Sequence, residues 1–211
     1  MNTKPVKYPR TPHLPWSPGR TSDDVGIKTA DQFTGKKVIV TEKMDGENTS
    51  LYPDRMHARS LDSAHHPSRD WVKGLHAKIA WQIPDGWRIC GENLYARHSI
   101  GYEGLPSYFL AFSVWNEKNR CLSWRDTVQF CEQLGLHFPR ILYDGDWDEA
   151  FIRSIKVDEG ISEGYVVRTA GDFAYEDFGQ NLAKWVRPSH VTSEKHWSKS
   201  ELIPNGMVAI S

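Results

Sequence analysis

Residues 42–48, with the sequence EKMDGEN, carry side chains suited to covalent chemistry at phosphorus. Lys43 is the candidate nucleophile, because a neutral lysine amine can attack a phosphorus atom and form a covalent intermediate. The attack requires a lowered pKa, which neighbouring positive charge or desolvation would provide. The apolar, β-branched residues 38–41 precede Lys43 and predict a buried strand that places the amine at its end. Gly46 would then let the backbone turn close to a phosphate without a Cβ clash.

Three later segments also place a charged side chain at the end of a short β-prone run. Arg59 is suited to bidentate contact with a phosphate or a terminal nucleotide. Glu92 ends residues 88–92, where its carboxylate could hold a ribose hydroxyl or a metal ion. Glu163 begins another run and could coordinate a divalent cation near an α-phosphate. Each segment alone is also compatible with an ordinary strand end, but their order along the chain favours a nucleotidyl-transfer site.

Two further apolar runs supply an aromatic ring and positive charge. Residues 108–115 (YFLAFSVW) predict a strand that could place one ring against a flat base, with most of its other rings in the core. Residues 182–187 predict a strand that carries Lys184 and Arg187. These two cations would neutralise phosphate charge in a transition state.

Together these segments resemble the motifs of the covalent nucleotidyltransferase superfamily of polynucleotide ligases and capping enzymes. The resemblance spans residues 37–187 and is greatest to ATP-dependent RNA ligases of the RNA-repair and RNA-editing type. It implies that Lys43 lies in the K-x-D-G pattern of motif I and becomes adenylylated. Many DNA ligases carry arginine five positions after this lysine, whereas RNA ligases of this type often carry asparagine, and Asn48 stands at that position.

The resemblance also implies how the nucleotide and the RNA end are bound. Asn48 and Arg59, the latter in motif Ia, would bind the 5′-phosphate end that is being sealed. Glu92 would contact the ribose, and the Phe112 ring would stack on the adenine. Glu42 could meet the adenine edge through its backbone.

Glu163 resembles the metal-associated glutamate of motif IV, and Lys184 with Arg187 resembles the basic pair of motif V. Lys43, Glu163 and Lys184 are therefore the candidate catalytic residues, and Glu163 is the candidate metal ligand. The family usually separates the motif V cations by one position, whereas here two residues stand between them. Lys184 is thus the better candidate for the α-phosphate contact, and the role of Arg187 stays open.

The mechanism that the resemblance implies has three steps. Lys43 attacks the α-phosphorus of ATP, releases pyrophosphate with the help of Mg²⁺ or Mn²⁺, and holds AMP through a phosphoramidate bond. AMP then moves to an RNA 5′-phosphate, and a 3′-hydroxyl attacks that activated end to form the phosphodiester. The RNA ends could meet in a nicked duplex, a hairpin or a single strand. Asp45 could accept hydrogen bonds that shape the loop or orient Lys43.

Composition is compatible with one domain and a sizeable core. The chain has 211 residues, 39% of them hydrophobic, and a formal net charge of −1, so an RNA site requires local clustering of basic residues. Three cysteines without CxxC spacing predict buried, reduced thiols and a cytoplasmic location. The pair His65-His66 has no partners at zinc-ligand spacing. We expect no membrane partner, because no apolar run approaches the length of about 18 residues that a span needs.

Periodicity and turn residues predict an α+β fold, a nucleotidyltransferase domain of antiparallel sheets flanked by helices. Residues 1–20 contain five prolines and predict an extended arm. Residues 21–211 would form one domain, with helices expected over 67–83, from Ser123 to Gly135, and over 147–156. The stretch after residue 187 is too short for an oligonucleotide-binding (OB) domain, so we expect no C-terminal OB domain, and a partner protein could help to grip the RNA.

Two alternatives stay open from the sequence. The chain could be the core of a DNA ligase or capping-type nucleotidyltransferase whose missing barrel another polypeptide supplies, against which Asn48 and the short C-terminal stretch argue. It could also be a non-catalytic nucleotide- or RNA-binding module. The presence of Lys43, Glu92, Glu163 and Lys184 together argues against that, since a binding protein needs no nucleophile.

Overall fold

The computed structural model describes residues 4–62, 65–188 and 202–208, which form two antiparallel sheets. The first sheet has four strands in the order β10-β8-β1-β7. These strands are β1 (Lys37–Lys43), β7 (Ile141–Asp146), β8 (Gly164–Thr169) and β10 (Leu182–Val186). As predicted, residues 38–41 are buried in the middle of β1, and Lys43 is its last residue.

The second sheet has six strands in the order β3-β2-β4-β5-β6-β9. These strands are β2 (Glu47–Leu51), β3 (Met56–Ala58), β4 (Arg88–Asn93), β5 (Phe109–Trp115), β6 (Arg120–Cys121) and β9 (Phe173–Ala174). The chain passes from one sheet to the other at residues 44–46, between β1 and β2. The segment that carries the candidate nucleophile therefore lies where the two sheets meet.

The helices are α1 (Asp70–Ile79), α2 (Trp124–Gln133), α3 (Glu149–Ser154) and α4 (Phe178–Asn181). The stretch predicted over 67–83 is helical, but 3₁₀ turns at Pro67–Arg69 and Ala80–Gln82 flank α1. α2 begins as predicted, because Ser123 Oγ accepts a hydrogen bond from Asp126 N at 3.1 Å. α3 is shorter than predicted, because the Asp148 side chain accepts from Phe151 N and fixes the first residue at Glu149.

Apolar side chains pack in layers on and between the sheets. Val72 and Ile79 of α1 and Cys131 of α2 pack on the outer face of the six-stranded sheet. Ile152 of α3 packs on the four-stranded sheet. A third cluster, which includes Trp115, contains residues of both sheets. The predicted α+β class with antiparallel sheets flanked by helices is confirmed, because every pairing between these named strands is antiparallel.

The proline-rich residues 4–20 contain no helix and only two isolated bridges, both at His13. They pack on the domain nonetheless, because Leu14 is buried in the core of the four-stranded sheet. The three cysteines are buried and form no disulfide, as predicted. None of the helices in the described ranges has the length and apolar character needed to cross a lipid bilayer.

Candidate active site

Strand register brings Lys43 beside Glu163. Lys43 lies opposite Gly164 in the pairing of β1 with β8, so the residue just before β8 is its neighbour. Lys43 Nζ donates a hydrogen bond to Glu163 Oε2 and forms an ion pair with it. Only 22% of the Lys43 side chain and 10% of the Glu163 side chain are exposed, so solvent screens this pair weakly.

The charge around Lys43 differs from the expectation of a lowered pKa. Burial lowers the pKa of Lys43, but Glu163, Glu92 and Asp45 together outweigh it and raise the pKa above its ordinary value. The expectation was wrong for this state of the protein, because the acidic side chains beside Lys43 outweigh the effect of its burial. Lys43 is therefore an ammonium group here, and it must lose a proton before it can attack phosphorus.

Glu92 is the second carboxylate of this cluster. Burial raises its pKa to about 8, the charge of Lys43 opposes that rise, and Glu163 and Asp45 add to it. Glu92 lies in β4 opposite Asn48 of β2, which places it on the other sheet from Glu163. Lys43 thus faces one acidic side chain from each sheet.

Asp45 fixes the turn that follows Lys43. Its Oδ2 accepts hydrogen bonds from Ser99 N at 2.8 Å, Ser99 Oγ at 2.6 Å and Ile100 N at 3.0 Å. Its backbone N donates to the Tyr102 hydroxyl at 2.8 Å. These contacts agree with the expectation that Asp45 shapes the loop.

Gly46 allows a close approach between backbones. A Cβ at this position would lie 2.5 Å from the Asn93 carbonyl oxygen and 2.8 Å from Leu94 Cδ2. The protein itself therefore requires glycine here, and the expected close approach of a phosphate stays a prediction.

Gly164 is required for the position of Glu163. Its φ is +151°, a region that side chains rarely adopt, and an added Cβ would collide with the Trp185 carbonyl oxygen. Because backbone strain of this kind costs of order 1–3 kcal/mol, Gly164→Ala should lower the free energy of unfolding by about 2 kcal/mol or more.

Urea unfolding followed by circular dichroism measures this effect. Gly171→Ala is the control, since φ is not positive there and an added Cβ meets nothing within 4 Å. It should change the free energy of unfolding by less than about 0.5 kcal/mol. Equal stability of the two variants would contradict this account of Gly164.

A cleft of about 680 Å³ opens beside Lys43 between the sheets, a size typical of small-molecule sites. It brings together seven of the nine residues predicted from the sequence, which are Glu42, Lys43, Asn48, Arg59, Glu92, Phe112 and Lys184. Glu163 adjoins it through its contact with Lys43.

Arg187 does not line this cleft. Lys184 and Val186 lie on the same face of β10, because side chains alternate along a strand, and Val186 is buried. Arg187 follows the strand, and its backbone N donates to the Glu163 carbonyl oxygen at 3.0 Å. The spacing that departs from the family pattern therefore leaves no second cation beside Lys184 on that strand face.

Lys184 is a cation in a partly buried position. Burial lowers its pKa, the charges of Lys43 and Arg59 lower it further, and Asp24 and Glu163 oppose this. Lys43, Arg59 and Lys184 all line the cleft, so three basic side chains converge there. They provide the local clustering of basic residues that the small net charge of the whole chain required.

Asn48 and Arg59 adjoin each other at the cleft. Arg59 N donates to the Asn48 carbonyl oxygen at 2.9 Å, and the Arg59 side chain is exposed. The sequence predicted Arg59 at the end of a short strand. In the structure, Arg59 immediately follows β3 and does not lie within it. Asn48 Oδ1 is buried and has no hydrogen-bond partner in the structure, so a donor from a ligand could satisfy it.

The two residues predicted to bind the base occupy different environments. Phe112 is partly buried, and its ring lies edge-on to Tyr8 with centroids 5.3 Å apart. Glu42 lines the cleft, but its backbone N already donates to the Arg140 carbonyl oxygen at 2.8 Å. The Glu42 carboxylate also pairs with Arg140 at 3.3 Å.

Sequence patterns did not identify several cleft residues. One group belongs to residues 4–20, to the start of α2 or to β8, and comprises Tyr8, Pro9, Thr11, Trp124 and Arg168. A second group lies near the start of α1 or in the turn after β4, and comprises His65, His66, Arg69 and His98. Arg69 binds Glu47 through two hydrogen bonds of 2.7 and 2.5 Å. The pair His65-His66 stands out in the sequence. It has no partners at zinc-ligand spacing, however, and the sequence did not indicate a role for it in this cleft.

The acidic side chains near Lys43 are compatible with a metal ion that is bound together with a nucleotide, rather than one held by protein ligands alone. No group of three or more metal-ligating side chains occurs within residues 4–62, 65–188 and 202–208. Glu163 and Glu92 could still each supply an oxygen, with phosphate oxygens as the remaining ligands. Mg²⁺ is commonly held in this way, by one or two carboxylates and a bound phosphate.

Comparisons with known proteins agree with this geometry. The family model described as RNA ligase matches residues 36–186. A structure of Naegleria gruberi RNA ligase with PPi is 14% identical, has a TM-score of 0.53, and is matched over 87% of this chain and 61% of that one. A mutant of that ligase with ATP and Mn is 15% identical, with a TM-score of 0.52 and coverages of 74% and 51%.

At such low sequence identity, the similarity to these structures shows only the fold. This chain spans 51% of the length of the first of these ligase structures, and 61% of the one with PPi. No curated protein shows significant sequence similarity to it.

Proposed function

Because this chain belongs to the RNA ligase family, we propose that it is an ATP-dependent RNA ligase that forms a lysyl-AMP intermediate on Lys43. It would transfer AMP to an RNA 5′-phosphate and join that end to a 3′-hydroxyl. The observation that carries the proposal is the convergence of Lys43, Glu163 and Lys184 at one cleft. These residues come from distant parts of the chain, since Lys43 ends β1, Glu163 immediately precedes β8, and Lys184 lies in β10.

The residues present fit a nucleotide and a divalent cation. The cleft offers a half-buried ring in Phe112, the basic side chains of Lys43 and Lys184, and the acidic side chain of Glu92, and Glu163 adjoins it at Lys43. Bound Mg²⁺ or Mn²⁺ would screen phosphate charge and compete with Lys43 for the Glu163 carboxylate. Loss of that ion pair would lower the pKa of Lys43, because its burial would then be less opposed.

In the first step, the Lys43 ammonium group loses one proton to solvent, and the neutral Nζ forms a bond to the α-phosphorus of ATP. A second proton leaves Nζ for solvent as the phosphoramidate forms. The bond from that phosphorus to its bridging oxygen breaks, and pyrophosphate leaves. Lys184 would stabilise the negative charge on the α-phosphate oxygens, where a preorganised cation acts most strongly. Phe112 would hold the adenine, and Glu92 would accept a hydrogen bond from the ribose.

In the later steps, an RNA 5′-phosphate oxygen displaces Lys43 from the phosphorus, and the 3′-hydroxyl of the other end then displaces AMP. Arg59 and Asn48 line the same cleft as Lys43, which supports their proposed role at the 5′-phosphate. His65, His66 and Arg69 also line this cleft and could contact further RNA phosphates.

Labelling with α-labelled ATP or GTP, followed by denaturing electrophoresis, tests the first step. A label from ATP that survives denaturation is expected, and pyrophosphate should remove it. Sealing of a 5′-phosphorylated RNA nick, beside a matched DNA nick, tests the later steps. Absence of covalent AMP would overturn the proposal, and a clear preference for the DNA nick would favour a DNA ligase core instead.

Alanine at Asn48 or Arg59 should separate the two halves of the reaction. Each variant is expected to keep much of its covalent AMP formation but to seal RNA at least about tenfold more slowly, since an arginine–phosphate contact is a strong, charge-assisted interaction. The measurement is sealing of pre-adenylylated RNA by the unchanged protein and both variants at several salt concentrations.

Arg55→Ala is a matched control, because Arg55 lies at the other end of the β2–β3 hairpin and pairs with Asp54. It should seal RNA normally. Equal sealing by all four proteins would remove Asn48 and Arg59 from the substrate site.

A further inference from the structure

Residues 6–14, called here the cross-sheet segment, join the two sheets along one side of the cleft. At its first end the segment is tied to the six-stranded sheet and its edge. Val6 N donates to the Tyr52 hydroxyl at 2.9 Å, and Tyr52 directly follows β2. The Tyr175 hydroxyl donates to the Lys7 carbonyl oxygen at 2.7 Å, and Tyr175 directly follows β9.

The other end of the segment is tied to the four-stranded sheet at Lys184. Lys184 N donates to the Pro12 carbonyl oxygen, and Leu14 N donates to the Lys184 carbonyl oxygen, both at 2.8 Å. Ser17 Oγ extends this attachment by accepting from Val186 N at 2.9 Å. Both backbone groups of Lys184 are therefore bonded to the segment.

Between these ends, Tyr8 packs against Phe112. The two rings lie edge to face, with centroids 5.3 Å apart and an interplanar angle of 68°. Tyr8 is only 7% exposed, and Phe178 and Trp115 hold its other sides at centroid distances of 5.2 and 6.5 Å. Tyr8, Pro9 and Thr11 also line the cleft. The segment thus touches the candidate base-stacking ring and the candidate α-phosphate cation at once.

We propose that the cross-sheet segment is a wall of the nucleotide pocket, in which Tyr8 is a positioning residue that holds the Phe112 ring ready for the base. This inference rests on the proposed function. Phe112 is only partly buried, so it would be free to change rotamer without a neighbour on that side. A ring that is already ordered before binding loses less entropy when the base arrives, and this strengthens binding.

Tyr8→Ala should weaken nucleotide binding more than it slows the chemical step. The interaction free energy of an edge-to-face aromatic pair predicts that its loss raises the KM for ATP by about threefold to tenfold. The maximal rate of covalent AMP formation should change by less than about twofold, because Tyr8 acts through Phe112, away from the α-phosphate. AMP binding by isothermal titration calorimetry, on protein freed of bound AMP with pyrophosphate, should weaken by the same factor as KM rises.

Two variants distinguish positioning from a general loss of packing. Tyr8→Phe keeps the ring and should restore binding to within about twofold of the unchanged protein. Phe33→Ala removes a fully buried ring that stacks on Trp147 in a different apolar cluster, and Phe33 does not line the cleft. It should lower thermal stability without raising KM. Equal rises in KM for Tyr8→Ala and Phe33→Ala would overturn the inference.

A double-mutant cycle gives the decisive comparison. If Tyr8 acts through Phe112, Tyr8→Ala should cost no further AMP affinity in a Phe112→Ala background. An added loss as large as that of the single variant would overturn the positioning role. The proposed function fails separately, since in that case even the unchanged protein would show no covalent AMP.

Discussion

Lys43→Arg protein is expected to form no covalent AMP under conditions in which α-labelled ATP labels the unchanged protein. Arginine would keep a positive charge opposite Glu163 and Glu92, whose carboxylates raise the pKa of the lysine. Its guanidinium stays protonated, however, and is a poor nucleophile. Lys43→Ala should lose the label equally, because it has no amine. Denaturing electrophoresis measures the label, and circular dichroism checks that both variants fold.

Lys37→Ala is the control for this experiment. Lys37 begins the strand that Lys43 ends, has a side chain that is 57% exposed, and pairs with Asp144 at 2.9 Å. It should be labelled like the unchanged protein. Label on either Lys43 variant would mean that another residue is the nucleophile and that the K-x-D-G assignment is wrong.

Alanine at Glu163 or Lys184 should slow covalent AMP formation by about 10²–10³-fold, the usual effect of removing one well-placed electrostatic group. The two variants should differ in how their labelling rate depends on the metal concentration. Glu163→Ala should need a higher Mg²⁺ or Mn²⁺ concentration, because it removes the proposed metal ligand. Lys184→Ala should keep the metal dependence of the unchanged protein, because it removes charge from the α-phosphate contact. Labelling rates at saturating ATP over a metal titration measure both effects.

Glu117→Ala and Lys118→Ala are matched controls. Both residues are exposed in the turn between β5 and β6, and neither lines the cleft. They should be labelled at the normal rate. A near-normal rate for Glu163→Ala or Lys184→Ala would show that the corresponding motif has been misplaced.

Local patterns predicted the elements that carry the site. The β-branched run before Lys43 determined a buried strand, because such side chains pack well on a pleated sheet. The capping side chain of Ser123 and the following apolar stripe determined α2. Glu92, Phe112 and Lys184 were each placed on the strand where the structure has them. These features depend on neighbours in the sequence, so one sequence was enough to predict them.

The protonation state of Lys43 depended on tertiary structure. Lys43 and Glu163 are 120 residues apart, and only the pairing of β1 with β8 brings the carboxylate to the amine. No local sequence pattern indicates whether the side chains that surround such a lysine carry positive or negative charge. The expectation of a lowered pKa was therefore wrong, while the position of Lys43 at the strand end was right.

The sequence by itself determined which strands bear the candidate site residues. Hydrophobic periodicity and residue type favour a strand through neighbours in the sequence, so they can be read without the tertiary structure. Tertiary structure decided which side chains share the cleft. It placed Arg187 outside, because strand alternation gives that face to Lys184 and Val186. It also brought Tyr8 from the proline-rich residues into the cleft, because hydrogen bonds to both sheets hold that segment there. Such contacts between distant residues are fixed by packing and leave no periodic signal in the chain.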